Sequence, residues 1–152
     1  FHDVDVIPND FRQRYICSKR PRHLCSYLDK MRYVLMYKQF FGVVVAINRQ
    51  NYENINGFSN LYFGWGGEDD DFYTRIQSKN DFFERYDSQV GRCHMMRHVH
   101  NSNEANDRFE LMDQSLKRMK TDGLNSVEQF YHDLQVENHR LFTKVKVKLI
   151  HE

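Results

Sequence analysis

The chain has 152 residues, about the length of one domain. Its 22 basic and 21 acidic residues leave a formal charge of +1, so no overall field favours nucleic acid or an anionic membrane as a partner. No apolar run approaches the roughly 18–20 residues that a membrane-spanning helix needs. Partners and chemistry must therefore be inferred from local sites.

The chain opens on residues 1–8, which include Asp3-Val4-Asp5 and resemble the end of a buried strand followed by a loop. Because there is no initiating Met, we expect a segment to precede residue 1. The three cysteines, Cys17, Cys25 and Cys93, have no Cys-x-x-Cys spacing. The absence of this spacing argues against a zinc site, and the odd number of cysteines argues against a self-contained disulfide framework.

Four elements are predicted before residue 58: a loop over residues 9–21, a short strand over 22–28, a buried strand over 40–47 and a helix over 49–55. The run at 40–47 is continuously apolar, which is typical of a strand buried on both faces of a mostly parallel sheet. Asn48 is expected to cap the helix, and Asn56-Gly57 to end it.

The stretch Gly64-Trp65-Gly66-Gly67-Glu68-Asp69-Asp70-Asp71 combines three glycines, the only tryptophan and four acids. One interpretation is a flexible loop followed by a helix over about residues 69–78, whose first turn favours negative charge. The other is a sugar-binding and catalytic loop, with Trp65 as a stacking platform and one carboxylate as a base. The residues of the block alone do not decide between them.

Four further elements are predicted downstream: a strand over residues 81–85, an extended segment over 95–100, a mobile loop over 101–107 and a helical stripe formed by Phe109, Met112, Leu116 and Met119. The chain closes with two extended runs, over about residues 127–136 and 141–150. Alternating apolar residues and lysines in the second run predict a hairpin with one solvated face. Strands interleaved with short helices indicate an α/β class.

Two clusters carry ligand-type side chains. Asp3 and Asp5 follow an apolar position and could offer oxygens to a hard divalent ion, although Asp-x-Asp is common in proteins without metal. His98, with Met95 three residues earlier, could complete a mixed ligand set with Asp5, because imidazole is tolerated by Mn²⁺.

Taken together and in order, the motifs resemble those of the β-1,4-galactosyltransferase family over essentially the whole chain. They run from Phe1-His2-Asp3-Val4-Asp5-Val6-Ile7-Pro8, through Pro21-Arg22-His23, Asp29-Lys30, the Gly64 to Asp71 block and Met95-Met96-Arg97-His98, to Asp122-Gly123-Leu124-Asn125-Ser126. The resemblance implies the C-terminal half of a single catalytic domain of GT-A type, with a mixed sheet and flanking helices over residues 1–152. It further implies that the part supplying most of the uridine pocket lies upstream.

The family resemblance also implies a role for each matching residue. Asp69 matches the catalytic base, and Asp5, Met95 and His98 match the manganese ligands. The donor UDP-galactose would be bound by Asp3, Val4, Lys30, Gly42, Trp65 and Glu68. The sugar acceptor would be bound by Phe40, Phe63, Gly66, Asp70, Arg108, Phe109 and Met112. Residues 96–117 would form a loop that closes after metal and donor bind, and Cys17 would pair with a cysteine upstream of residue 1.

Three positions depart from the family pattern. Phe40 lacks the hydroxyl of the usual tyrosine at a position linked to the choice between galactose and N-acetylgalactosamine. Val43 replaces a glycine that lets backbone approach the donor sugar, and Phe63 replaces a common tryptophan. These departures leave the donor, and activity itself, open.

The expected function is inverting, metal-dependent transfer of galactose from UDP-galactose to the 4-hydroxyl of a terminal GlcNAc-type sugar during glycoprotein biosynthesis. The resemblance also implies a Golgi-lumenal type II membrane protein whose only membrane contact is an upstream anchor. One alternative is a non-catalytic carbohydrate-binding or scaffold relative; another is an N-acetylgalactosamine transferase. A generic metal-dependent phosphotransferase built on Asp3-Val4-Asp5 ranks below these, because that function does not account for the residues from Gly64 to Asp71.

Overall fold

A computed structural model describes residues 1–16, 18–79, 82–97 and 107–150. The strands are β1 (Val6–Pro8), β2 (Arg22–His23), β3 (Tyr27–Leu28), β4 (Val45–Ala46), β5 (Glu84–Arg85), β6 (Arg92–Met95), β7 (Tyr131–Asn138) and β8 (Thr143–Leu149). The α-helices are α1 (Arg49–Asn54), α2 (Glu68–Ser78), α3 (Arg108–Asp113) and α4 (Ser115–Arg118), with 3₁₀ turns at Asp29–Met31 and Val127–Gln129. Over these described ranges, no helix is long and apolar enough to cross a membrane.

Two small mixed sheets and a separate hairpin form the β structure of the described residues. In the first sheet, β6 lies between β1, which is antiparallel to it, and β3, which is parallel. In the second, β2 lies between antiparallel β4 and parallel β5. Mixed pairing with helices between the strands confirms the predicted α/β class.

The apolar run at residues 40–47 is not one strand, so that prediction was wrong. Only β4 is regular. Val43 has a φ of 64°, and the Val44 amide donates to the Gly42 carbonyl at 2.7 Å. This three-residue turn interrupts the strand, and it holds a β-branched residue in a backbone region that such residues rarely adopt.

Two apolar clusters form the core, and the run at 40–47 contributes to both. The first contains Val6, Leu24, Cys25, Leu28, Phe40, Val44 and Cys93; the second contains Phe41, Val45, Ile55, Phe72 and Ile76. The predicted burial on both faces is therefore confirmed, although the regular strand is not. In the second cluster, Phe58 stacks on Phe72 with ring centroids 3.9 Å apart, which fixes the loop after α1 against α2.

The helix predictions have mixed outcomes. The Asn48 side chain accepts a hydrogen bond from the Asn51 amide at 2.8 Å and caps α1 as predicted. Helix α2 confirms the predicted acidic helix, beginning one residue earlier than expected. The stripe from Phe109 to Met119 is divided, because Gln114 leaves the helical conformation (φ −94°, ψ 4°) between α3 and α4.

The strand predictions outside the core were right in place but not in extent. Residues 22–28 form β2 and β3, which belong to different sheets. The strand expected at 81–85 is limited to β5 among the described residues. β7 and β8 form the predicted hairpin, but its apolar face is also exposed: Leu134 and Val147, which are paired across it, are each 48% exposed.

Among the described residues, one disulfide joins the segment between β2 and β3 to β6, the central strand of the first sheet. Cys25 and Cys93 are both fully buried, with Cα atoms 5.6 Å apart and a sequence separation of 68 residues. An odd count of cysteines excludes complete internal pairing but not one pair, and no pattern in the sequence had indicated this pair. Cys17, with its implied upstream partner, lies outside the described residues.

We predict that breaking this cross-link lowers the free energy of unfolding by about 2–4 kcal/mol, since closing a loop of this length restricts the unfolded chain. Guanidinium denaturation of the double variant Cys25→Ala/Cys93→Ala, with and without reductant, measures the loss. Reductant should destabilise the unsubstituted chain and leave the variant unchanged. A wild-type midpoint that does not respond to reductant contradicts the pairing.

Candidate active site

A cleft of about 720 Å³ opens beside the first sheet. Its lining residues are His2, Asp3, Val4, Asp5, Trp65, Met95, Met96 and Arg97. The β1–β6 register places Val6 opposite Met95, and the Met96 amide donates to the Asp5 carbonyl at 2.7 Å. Strand pairing thus brings Asp5 and Met95, which are distant in sequence, to one cavity.

The glycines before α2 have the backbone conformations that this loop requires. Gly64, Gly66 and Gly67 have φ angles of 97°, 99° and 98°, which other residues adopt only at a cost. Gly67 is the N-cap of α2, and all four acids fall in the first turn of that helix, where the helix dipole stabilises negative charge. Trp65 is 61% exposed, so its ring is available at the mouth of the cleft.

Asp69 lies directly against Gly42. A Cβ atom added to Gly42 would be 1.8 Å from Asp69 Oδ2, so a side chain at position 42 would displace the carboxylate. Burial, followed by the nearby charges of Glu68, Asp3 and Asp70, raises the pKa of Asp69 from 3.8 to about 7. The group is therefore balanced between its two protonation states near neutral pH.

Several carboxylates lie close enough to Asp69 or to one another to affect each other's protonation. Partial burial, then the charges of Asp5 and Glu68, raise the pKa of Asp3. Glu68 Oε2 is buried without a hydrogen-bond partner among the described residues. An unpaired buried carboxylate oxygen is costly, so a hydroxyl donor or a cation brought by a ligand would be stabilised here.

The donor atoms around the cleft fit a divalent cation in part. Asp5 supplies a carboxylate, the ligand type that Mn²⁺ and Mg²⁺ prefer, and Met95 supplies a softer thioether. Within the described ranges, no three His, Cys, Asp or Glu side chains are grouped closely enough to hold a metal. His98, the third predicted ligand, lies outside those ranges, as do residues 101–106 of the predicted mobile loop.

Asp29 ties the end of β6 to the 3₁₀ turn that carries Lys30. Its Oδ1 accepts hydrogen bonds from the Met95 amide at 3.0 Å and the Lys30 amide at 2.8 Å, and its Oδ2 contacts His94 Nδ1. These contacts, led by the Met95 amide, lower the pKa of Asp29. The Lys30 side chain is exposed.

One predicted acceptor residue, Arg108, packs against the glycine loop before α2. The side chain of Arg108, at the start of α3, lies 3.5 Å from the position of a Cβ atom added to Gly66. Its guanidinium also covers the Phe109 ring at 4.8 Å. Phe63 and Phe109 are 60% and 69% exposed, so exposed aromatic rings flank the acidic helix. Met112 lies one turn further along α3 and is partly buried.

Two predicted positions are more enclosed than expected. Phe40 is 5% exposed and belongs to the first core cluster, with its ring edge-on to His23 at 4.9 Å. Val43 packs against the same cluster, and its carbonyl accepts from the Asp3 amide at 2.9 Å. Val4, in contrast, is 96% exposed beside the cleft. The roles assigned to all three stay predictions.

Tyr37 is a site residue that the sequence reasoning missed. Its hydroxyl donates to Asp70 Oδ1 at 2.8 Å, and burial together with this carboxylate raises the pKa of Tyr37. The segment around Tyr37 has no regular period and no chemical motif, so only the fold reveals the contact.

Comparison with known proteins identifies relatives of this chain. A family model described as the N-terminal domain of galactosyltransferase matches residues 22–99. β-1,4-Galactosyltransferase 1 of Mus musculus is 42% identical over 151 residues, covering 98% of this chain and 37% of the relative. The rat (Rattus norvegicus) β-1,4-galactosyltransferase 6 is 36% identical over 153 residues, covering 100% and 39%. The chain therefore spans about two fifths of the length of these relatives.

Solved structures support the same fold. The catalytic domain of Drosophila β-1,4-galactosyltransferase 7 in complex with xylobiose is 22% identical, with a TM-score of 0.62 over 99% of this chain and 66% of that one. An aspartate-to-asparagine variant of the same Drosophila protein, in complex with manganese, UDP-Gal and xylobiose, has a TM-score of 0.66 at 23% identity and the same coverage. From the family match and the identities to its relatives, the chain belongs to the β-1,4-galactosyltransferase family.

Proposed function

We propose that this chain is the acceptor- and metal-binding part of an inverting glycosyltransferase that moves galactose from UDP-galactose to the 4-hydroxyl of a terminal GlcNAc-type sugar. The observation that carries the proposal is Asp69: its carboxylate is close enough to Asp3, a lining residue of the cleft, to be affected by that charge, and its pKa is about 7. A general base works best when its pKa is near the working pH.

The transfer needs a base for one proton. As the acceptor oxygen forms its bond to the anomeric carbon of galactose, Asp69 takes the hydroxyl proton. The bond between that carbon and the diphosphate oxygen breaks, its electron pair leaves with UDP, and the configuration inverts. Asp70, which accepts a hydrogen bond from Tyr37, would orient the acceptor. The unpaired Glu68 Oε2 would accept a hydrogen bond from a hydroxyl of the donor sugar.

Binding of the two sugars uses the remaining predicted residues. Trp65, Phe63 and Phe109 are exposed rings that could stack on sugar faces, whereas Met112 and the stem of Arg108 offer apolar contact. Asp5, Met95 and His98 would hold Mn²⁺, which would neutralise charge that develops on the diphosphate. Lys30 would contribute a further positive charge near the nucleotide.

The disulfide supports a proposal about the cellular compartment of this protein. Buried disulfides persist in oxidising environments such as the secretory pathway, and Cys25–Cys93 is fully buried. We infer a Golgi-lumenal enzyme of glycoprotein biosynthesis, anchored as a type II membrane protein through sequence upstream. Its partners are then a nucleotide sugar and a glycan, and not nucleic acid.

We predict that Asp69→Asn lowers kcat/KM for transfer to GlcNAc by at least about 100-fold, because the variant cannot take the proton. The assay uses UDP-galactose and Mn²⁺ with the longest form of the protein that contains this chain. Asp133→Asn, on the exposed hairpin, is the matched control and should keep full activity. Activity should also decline as the pH falls below about 7, where Asp69 becomes protonated.

Two results would redirect the proposal. Transfer that is unaffected by Asp69→Asn would remove this residue as the base. If no transfer is found, titration of acceptor against the fluorescence of Trp65, the only tryptophan, tests a non-catalytic binding module. The exposed rings favour that second function, and saturable binding that needs neither UDP nor metal would support it.

Asp69→Asn should also stabilise the fold. The pKa of this acid rises from 3.8 to about 7 on folding, so the folded state binds more protons and stability falls as the pH rises between these values. With chelator present, we expect the variant to gain about 1–3 kcal/mol in unfolding free energy at pH 8 and nothing at pH 3. Denaturant melts at the two pH values measure the gain.

Asp10 provides the control of opposite sign. Hydrogen bonds from Arg12 lower the pKa of Asp10 to about 2, so Asp10→Asn should lose stability at neutral pH and not gain it. Equal responses of Asp10→Asn and Asp69→Asn would contradict the assignment of a raised pKa to Asp69.

A further inference from the structure

A buried network of four charged side chains connects α2 with α4 and the residues just beyond it. Its members are Asp71 and Arg75 on α2, Arg118 on α4, and Asp122 just beyond. The side chains of Asp71 and Arg75 are fully buried, and those of Asp122 and Arg118 are 9% and 14% exposed. Two positive and two negative charges balance, which a low-dielectric environment requires.

Arg75 connects helix α2 to the chain segment around Asp122. Its Nε donates to Asp71 Oδ2 at 3.2 Å, and its Nη2 donates to Asp122 Oδ2 at 3.2 Å. Its Nη1 donates to the Asp122 carbonyl at 2.8 Å and the Gly57 carbonyl at 3.1 Å. The helix that carries Asp69 is thereby fixed to the backbone of two neighbouring segments.

Arg118 extends the network to α3. Its Nη1 is hydrogen-bonded to Asp122 Oδ2 and donates to Ser59 Oγ at 3.0 Å. Its Nη2 donates to the Leu111 carbonyl at 2.6 Å, near the end of α3. Because the helix breaks at Gln114, carbonyls in this last turn need partners from outside the helix, and Arg118 supplies one.

The position of α3 matters because this helix carries Arg108, Phe109 and Met112, which are proposed to bind the acceptor. Its first residue packs on Gly66 and Gly67: a Cβ atom added to Gly67 would lie 3.2 Å from Arg108 Cβ. The two ends of α3 are thus fixed differently, the first by packing on the glycine loop and the last by Arg118.

We propose that Arg118 is a positioning residue. It holds α3, which carries the proposed acceptor-binding residues, at a fixed position relative to α2, which carries Asp69, and so determines the affinity for the sugar acceptor. This inference rests on the proposed function of the cleft. The planar guanidinium reaches Asp122 and the Leu111 carbonyl with different nitrogens, which the single ammonium of lysine cannot reproduce. The charge balance and the link to α3 are therefore separable by substitution.

The test compares Arg118→Lys with Arg22→Lys in the longest form of the protein that contains this chain. Arg22 is a matched control: its side chain is 19% exposed and is paired with Glu84 at 2.7 Å, outside the cleft. For Arg118→Lys we expect about a tenfold weaker acceptor affinity, in line with the loss of one charged hydrogen bond. KM for UDP-galactose should be unchanged, as should both constants in Arg22→Lys.

Amide hydrogen exchange gives a second measurement that needs no ligand. In Arg118→Lys, exchange should accelerate in α3 and not in α2, whose link through Arg75 is intact. Unchanged exchange in α3, or faster exchange with unchanged acceptor affinity, would overturn the inference while the proposed function stands. If the unsubstituted protein binds no acceptor at all, the proposed function fails, and the role of Arg118 in acceptor affinity fails with it.

Discussion

The contact between the Asp69 carboxylate and the Cα atom of Gly42 is the constraint on which the cleft depends. It requires a residue without a side chain at position 42. It also requires that the chain reverse direction at Val43 and that the first residues of α2 lie against this reversal. This turn also positions Asp3, whose backbone amide donates a hydrogen bond to the Val43 carbonyl. Burial at this contact is also the largest cause of the raised pKa of Asp69.

The surrounding structure holds each side of this contact by a different means. The Cys25–Cys93 disulfide and the β1–β6 pairing fix the strand that carries Met95. Phe58 stacks on Phe72 and positions the middle of α2, while Arg75 anchors the same helix from behind. Rigid support of this kind keeps several carboxylates close together despite their mutual repulsion.

Local chemistry was predictable from sequence where neighbouring residues decide it. Asn48 caps α1, and the glycine-acid block forms a loop followed by a helix, because caps and positive φ angles are properties of a few adjacent residues. The prediction of one strand over residues 40–47 failed because the continuous apolar run outweighed Gly42 and the family glycine that Val43 replaces, the two signs of a turn at this point. The prediction of one helical stripe across Gln114 failed for a related reason, since tertiary contacts and not the apolar stripe decide where α3 ends.

Long-range contacts were beyond any pattern in the sequence. Nothing near Tyr37 indicates Asp70, and nothing near Cys25 indicates Cys93, because both pairs form only after the strands and helices are placed. The family motifs pointed to the residues of the cleft, whereas the buried charges of Arg75 and Arg118 lie outside those motifs. A charged residue on a helix is usually solvated, so sequence reasoning had no cause to single them out.

The pKa of Asp69 itself tests the account most directly. Carbon-13 NMR of the side-chain carboxyl, followed from pH 3 to pH 9 with chelator present and assigned through Asp69→Asn, measures it. The account predicts a midpoint near 7, and a lower midpoint when Gly42→Ala displaces the carboxylate from its buried position. A midpoint near 4, the ordinary value for an aspartate, would contradict the role of Asp69 as the base of this site.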